Sequence, residues 1–198
     1  MDIIKQPNNI KFGRDSARDY EYPDKSLVIT SKGAAGRGWL EYTNLDNQIH
    51  YDDVEPNPSL DTAEKIISEF QNKDVDCVIG LGGGSSLDVA KFVGYKLQKK
   101  KILIPTTFGS GSEVTRISVL TVNGKKKSFH DDKMFADIAI IDPYFVKDSP
   151  INVIKNSAID ACAQCSEGFD SKNGNGYTKF LCNTAFDILE NAILNEKY

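Results

Sequence analysis

Residues 77–91 read Cys-Val-Ile-Gly-Leu-Gly-Gly-Gly-Ser-Ser-Leu-Asp-Val-Ala-Lys. An apolar run enters consecutive glycines and leaves into a helical pattern, with Asp88 and Lys91 in its early turns. Glycine lets a backbone come close to a ligand because no Cβ intervenes. The helix start beyond offers free N–H groups and the positive end of a dipole, which suits a phosphate. A buried strand, a glycine turn and a helix in this order predict an α/β nucleotide-binding fold.

Outward from this stretch, Ser26 to Thr30 is a short apolar run ending at Ser31-Lys32-Gly33, and it reads as a buried strand with its turn. A helix is predicted over 36–45 and a weaker strand over 48–51. Pro56-Asn57-Pro58 breaks the chain, because each proline pushes the residue before it out of the helical region. Ser59 or Asp61 caps the next helix, on which Ala63, Ile66, Ile67 and Phe70 make one apolar face. Strands follow over 75–81 and 102–105, with a helix to about Leu97 between them. Asn123-Gly124 separates two extended runs, 116–122 and 125–130. That dipeptide is a hairpin signal, since both turn positions want positive φ. Ile138 to Ile141 is a last buried strand.

Strands alternating with helices imply a parallel sheet with crossover helices. After Asp142-Pro143 the character changes. Pro150 suits a first helical position, and that helix extends to about Glu167. A loop of Gly, Asn and Ser covers 168–176, and Leu181, Ala185, Ile188, Leu189 and Ala192 mark one face of a final helix. Residues 1–148 are therefore expected to form a Rossmann-like dinucleotide-binding domain with a β-hairpin. Residues 149–198 read as the beginning of an all-helical domain, incomplete because two helices cannot readily bury their own faces and a shared core.

Composition excludes several classes. The 198 residues carry a formal net charge of −4 and no long basic run, which argues against a nucleic-acid partner. Lys99-Lys100-Lys101 and Lys125-Lys126-Lys127 read as solvated ends of helices or hairpins. There is no apolar run of about 18 residues and no apolar core of a signal peptide at Met1. No membrane association and a cytoplasmic location are expected. Four cysteines do not make a disulfide scaffold at this length. The Cys162/Cys165 pair lies within a predicted helix with no second pair to complete a metal site, so it reads as two small apolar residues.

A second polar loop, Pro105-Thr106-Thr107-Phe108-Gly109-Ser110-Gly111-Ser112-Glu113-Val114-Thr115, follows a strand. Its hydroxyls can donate to phosphate, ribose or nicotinamide oxygens without adding charge. Beside the glycine turn, at the carboxyl edge of a parallel sheet, it stands where such sheets bind ligands.

These two loops, with Asp142-Pro143 and the Pro56-Asn57-Pro58 break, resemble the iron-containing (group III) alcohol dehydrogenases over about residues 26–170. The resemblance implies a dehydroquinate synthase-like fold and hydride transfer between NAD or NADP and a small alcohol or aldehyde. Gly83, Gly84 and Ser85 would contact the cofactor pyrophosphate, with Asp88 supporting them. Thr106, Thr107 and Ser110 would line the nucleotide, Asn57 would lie at the same site, and Val119 would pack near the nicotinamide. Lys126 matches a family lysine, with Lys127 the near alternative. Family members commonly associate, so a homo-oligomer is expected. Ser31 stands where many NAD-preferring members carry an aspartate. A hydroxyl there, followed by Lys32, would tolerate the 2′-phosphate of NADP.

The metal pattern departs from the family. Asp-Ala-x-x-His-x-x-Glu is matched by Asp160-Ala161-Cys162-Ala163-Gln164-Cys165-Ser166-Glu167. Asp160 stands at the first ligand position, but Gln164 replaces the histidine. A glutamine amide is a poor ligand for Fe²⁺ or Zn²⁺. Either this is the N-terminal portion of a longer enzyme, or a shortened protein that acts as a catalytically silent nucleotide-binding module. Lys127, Ser128 and His130, with Gln164, are similar to members that reduce phosphonoacetaldehyde.

Overall fold

A computed structural model describes residues 3–147 and 149–194. Its strands are β1 Asn9–Phe12, β2 Ser26–Ile29, β3 Ile49–Tyr51, β4 Cys77–Gly82, β5 Lys100–Pro105, β6 Ile117–Val122, β7 Lys125–His130 and β8 Ile138–Ile141. Its helices are α1 Lys32–Ala35, α2 Trp39–Tyr42, α3 Leu60–Phe70, α4 Gly84–Leu97, α5 Tyr144–Lys147, α6 Ile151–Phe169 and α7 Gly176–Leu194. The described residues fall into two units. One holds 5–106 and 111–147; the other holds 3–4, 107–110 and 149–194.

In the larger unit six strands form one sheet in the order β1-β8-β5-β4-β2-β3, every neighbour parallel. Successive side chains of a strand face opposite ways. Leu27, Ile29, Val78 and Leu103 therefore pack on one face, with Ala63, Ile66 and Phe70 of α3 and Leu87, Ala90 and Val93 of α4. Val28, Ile79, Leu81, Ile102 and Ile104 pack on the other, with Trp39, Leu40 and Phe145. Covering both faces explains why these strands read as continuous apolar runs rather than alternating ones. Each such fully buried side chain contributes about 1.5–3 kcal/mol.

Two details differ from the sequence reading, and one open alternative is resolved. The helix predicted over 36–45 is two short turns, α1 and α2. Gly38 between them takes φ +71°, a left-handed conformation that interrupts a helix, and Asn44 at φ +57° ends the second turn. Ser59, not Asp61, caps α3: its Oγ accepts from Thr62 N at 3.1 Å. The edge strand β1 was not anticipated; it pairs with β8 in the register Asn9↔Ile138.

The predicted hairpin is present as a separate two-stranded sheet, β6 with β7. Asn123 (φ +50°) and Gly124 (φ +74°) form its turn. Leu120 buries against the α3/α4 side, and the Phe129 ring meets Phe92 of α4 edge to face at 5.0 Å. In the smaller unit α6 and α7, 19 residues each, pack on one another. Among the described residues no helix is long and apolar enough to cross a membrane.

Candidate functional site

The glycine turn sits at the carboxyl end of β4. Gly82 has φ +152°, and a Cβ there would lie 2.7 Å from Ser86 Oγ, so the turn requires glycine. Gly83 is extended and stands at the N-cap of α4, and no side chain caps it. The first N–H groups of a helix have no acceptor within it. Those of Gly84, Ser85 and Ser86 are therefore presented at the strand's end, with the dipole behind them. Gly80, one turn of the pleat back, brings α4 close to the sheet: a Cβ there would lie 2.8 Å from Ala90 Cβ and 2.9 Å from Leu103.

The sheet order gives this turn its significance. From β2 the chain goes out to β3 on one side, then returns to β4 on the other. The gap between the carboxyl ends of β2 and β4 is thus a point where strand order reverses, the place where open α/β sheets bind ligands. Thr30 Oγ1 donates to Leu81 O at 2.7 Å across its floor. Thr106, buried, donates its N–H to Gly82 O at 3.0 Å and carries the β4/β5 ladder one step beyond the strands.

Asp88 works through protein donors. Oδ1 accepts from Ser112 Oγ at 2.7 Å, and Oδ2 accepts from Val119 N at 3.0 Å. Its backbone carbonyl accepts from Ser118 Oγ at 2.8 Å. Lys91, one turn on, is fully buried. Its Nζ pairs with Asp88 Oδ1 at 3.1 Å and donates to the carbonyls of Ser112 (2.9 Å) and Ile117. Burial holds the Lys91 ammonium below its ordinary value, while Asp88 and Glu113 oppose that shift. Glu113 is buried too, and burial raises its carboxyl above the usual range. Its Oε2 has no hydrogen-bond partner among the described residues. One helix-borne ion pair thereby fixes both the polar loop at Ser112 and the start of the hairpin at Val119.

Ser31 caps α1, its Oγ accepting from Ala34 N at 3.3 Å, and forms a bridge with Asp53. Lys32 is held by Asp53, Nζ to Oδ1 2.8 Å. The cation read from the sequence as available to a 2′-phosphate therefore already has a carboxylate beside it. Asn57 takes φ +53°, and its carbonyl accepts from Thr121 Oγ1 at 3.0 Å, tying the proline loop to the hairpin. Lys126 is exposed on β7 opposite Thr121. Alternation along β7 puts Lys127 and His130 on opposite faces; Lys127 lies over the Phe129 ring at 5.4 Å. Lys127 and His130, quoted together in the resemblance to phosphonoacetaldehyde-reducing members, therefore lie on opposite sides of the strand.

Thr107 and Ser110 belong to the smaller unit, together with Asp160 and Gln164. Within that unit the loop runs close to α6. A Cβ on Gly109 would lie 2.8 Å from Asp160 Oδ2 and 2.9 Å from Ser157 O. Gln164 Nε2 donates to Gly109 O at 2.7 Å. Asp160 and Gln164 thus flank a backbone segment rather than gathering a donor set. No cluster of three His, Cys, Asp or Glu side chains that could hold a metal occurs among the described residues. The described residues do not fit an Fe²⁺ or Zn²⁺ site.

Sequence reasoning missed Asp53 as a neighbour of the site, placed Ser112 and Glu113 in the polar loop without individual roles, and gave Lys91 no role. The i, i+3 spacing of Asp88 and Lys91 was the signal for their pairing. Nothing local marks Asp53, which the pairing of β2 with β3 brings alongside Ser31.

The fold is a parallel-sheet α/β architecture with an uncapped glycine turn at the point where its strand order reverses. The family model for iron-containing alcohol dehydrogenase matches residues 3–143, and the chain belongs to that family. It is similar to long-chain-alcohol dehydrogenase 1 of Geobacillus thermodenitrificans, 36% identical over 164 residues that cover 72% of this chain and 42% of that protein. An iron-containing alcohol dehydrogenase from Thermotoga maritima superposes with a TM-score of 0.89 at 27% identity, covering 98% of this chain and 62% of that one. The fold is shared with sulfoacetaldehyde reductase from Bifidobacterium kashiwanohense, solved in complex with NAD⁺ (TM-score 0.86, 24% identity, 95% of this chain and 59% of that one). The chain spans less than half the length of the curated relative, and about 60% of the solved ones.

Proposed function

We propose that this chain supplies the dinucleotide-binding half of an NAD(P)-dependent alcohol or aldehyde oxidoreductase, in which hydride passes between the nicotinamide and the alcohol or carbonyl carbon. The observation that carries this reading is the uncapped start of α4 at the strand-order reversal, with Gly83 as its N-cap. Gly83, Gly84 and Ser85 hold the diphosphate through backbone N–H groups. Thr106, Thr107, Ser110 and Asn57 bind the rest of the nucleotide, with Lys126 and Val119 toward the nicotinamide. Asp88 acts on the cofactor through Val119 and Ser112, whose positions it fixes. Ser31 admits a 2′-phosphate, whereas Asp53 beside it brings a carboxylate to the same edge. The substrate is a small molecule, and no hydride-transfer step is assigned to a metal held by these residues.

The test is a titration with NADH and with NADPH, followed by nicotinamide fluorescence. Ser85→Asp places a carboxylate in the first turn of α4. Such a charge favours the helix while repelling a diphosphate, so folding is retained and affinity falls at least about tenfold, which corresponds to about 1.4 kcal/mol. Undiminished binding by that variant would remove the assignment. Asp53→Ala is expected to move the preference toward NADPH. A second reading, a silent nucleotide-binding module, is favoured by Gln164 donating to Gly109. It predicts the same binding with no turnover of any aldehyde, with or without added Fe²⁺ or Zn²⁺.

A further inference from the structure

The amino-terminal edge of the same sheet carries a second charged feature. Where α4 ends and β5 begins, a cleft of about 570 Å³ has Lys96, Lys99, Lys100, Lys101, Lys133 and Asp137 as its charged lining, completed by Gly94, Tyr95 and Gln98. Five cations face one carboxylate, an excess of four positive charges, in a chain whose net charge is −4. The cleft has a built floor. Lys101 is buried, and its stem lies over Gly94, where a Cβ would come within 2.6 Å of Lys101 Cγ.

The one lining carboxylate is already engaged. Asp137 Oδ2 accepts from Lys101 N at 2.8 Å and pairs with Lys101 Nζ at 3.5 Å. The carboxylates nearby are engaged as well. Asp132 holds Lys5 and Arg116. Asp131 accepts from Lys133 N at 2.8 Å and bonds the Tyr95 hydroxyl. Lys96 lies over the rings of Phe92 and Tyr95. Lys99, Lys100 and Lys133 have no carboxylate partner among the described residues. The end of α4 favours cations, but its carbonyls are partly satisfied: Gln98 N and Lys99 N donate to Tyr95 O and Gly94 O. That effect reaches only the last turn and does not account for Lys100 or Lys133. Ammonium groups gathered without counter-charge repel one another, and a multivalent anion both relieves the repulsion and forms charge-assisted hydrogen bonds.

We propose that this cleft binds an oligophosphate chain, either inorganic or carried by a nucleotide, at the sheet edge opposite the glycine turn. Calorimetry on the full chain at about 0.15 M salt, where exposed charges are screened beyond about 8 Å, tests it. Tripolyphosphate and ATP are run as separate arms, each with and without saturating NADH. One site per chain is expected, unaffected by NADH, with affinity reduced at least about tenfold in Lys100→Glu/Lys133→Glu. Both of those side chains are exposed, so the variant keeps its fold and its NADH affinity. Lys99→Gln/Lys100→Gln serves as a charge-neutral second variant with the same expected direction. Equal binding of the two probes assigns the phosphate chain alone, and tighter ATP binding assigns a nucleotide. Heat no greater than sulfate gives at equal ionic strength, or affinity unchanged in both variants, would overturn the proposal.

Discussion

The α/β unit and the helical unit treat apolar side chains in opposite ways. In the first, Leu27, Ile79, Leu87 and Leu103 have no accessible surface. In the second, Ile159, Phe180 and Ile188 each leave about two-thirds of theirs open, at 67%, 65% and 64%. The contrast lies in architecture. A parallel sheet needs cover on both faces, and the chain supplies it with α3 and α4 on one side and Trp39, Leu40 and Phe145 on the other. Two helices laid together cover one line each and leave the rest of their surface bare. Side chains of the same kind therefore hold the fold together in one unit and do little for it in the other.

The sharpest way to probe that contrast is Lys91. Lys91→Met removes a buried ammonium and leaves Asp88, Ser112 O and Ile117 O short of a donor. Breaking a buried pair from one side costs about 3–5 kcal/mol, read as a shifted urea midpoint of the α/β unit; a loss below about 1 kcal/mol would mean that the network is not what fixes the hairpin. Next comes Gly80→Ala, which pushes a methyl against Ala90 and Leu103. Overpacking of that kind costs about 1–3 kcal/mol, measurable in the same denaturation series.

Glu113→Gln has a smaller effect, and its sign depends on pH. The folded chain holds the Glu113 proton more tightly than the unfolded chain does, because burial raises the carboxyl above its ordinary 4.5. Stability therefore falls as pH rises from that value through the folded one. Glutamine has no such loss, so the variant is expected to be more stable by about 1 kcal/mol at pH 8, with the difference closing by pH 4. A constant difference across that range would contradict a buried carboxyl with one oxygen left without a hydrogen bond. At the bottom of the scale, Ile188→Ser on α7 should alter stability by no more than about 0.5 kcal/mol. A larger loss would show that this face is packed, and would erase the contrast between the units.

Much of this was legible because the relevant physics is local. The apolar run into Gly82, the glycine turn and the Asn123-Gly124 hairpin are each decided by a few adjacent residues. The helix over 36–45 was misread because Gly38 looks tolerable in a helical pattern until its positive φ is seen. Strand β1 escapes the sequence reading because Asn9-Ile10-Lys11-Phe12 alternates over only four residues, and all four are exposed, so neither face is buried. Its identity as a strand comes from β8. At the site, the Asp88–Lys91 pair follows from helical spacing, whereas Asp53 beside Ser31 and Gln164 against Gly109 depend on which distant segments the topology brings together. Residue identity suggested Gln164 as a replaced ligand; only its contact shows it tied to a backbone carbonyl.

The pairing of β1 with β8 joins the two sequence ends of the α/β unit. During synthesis the first strand emerges long before the one it needs, and it must wait unpaired while the intervening chain is made. Closing so large a loop is entropically slow. The outer strand is thus expected to dock last, after β2, β4 and β5 have assembled, and a refolding experiment that follows amide protection should find Asn9 to Phe12 shielded latest.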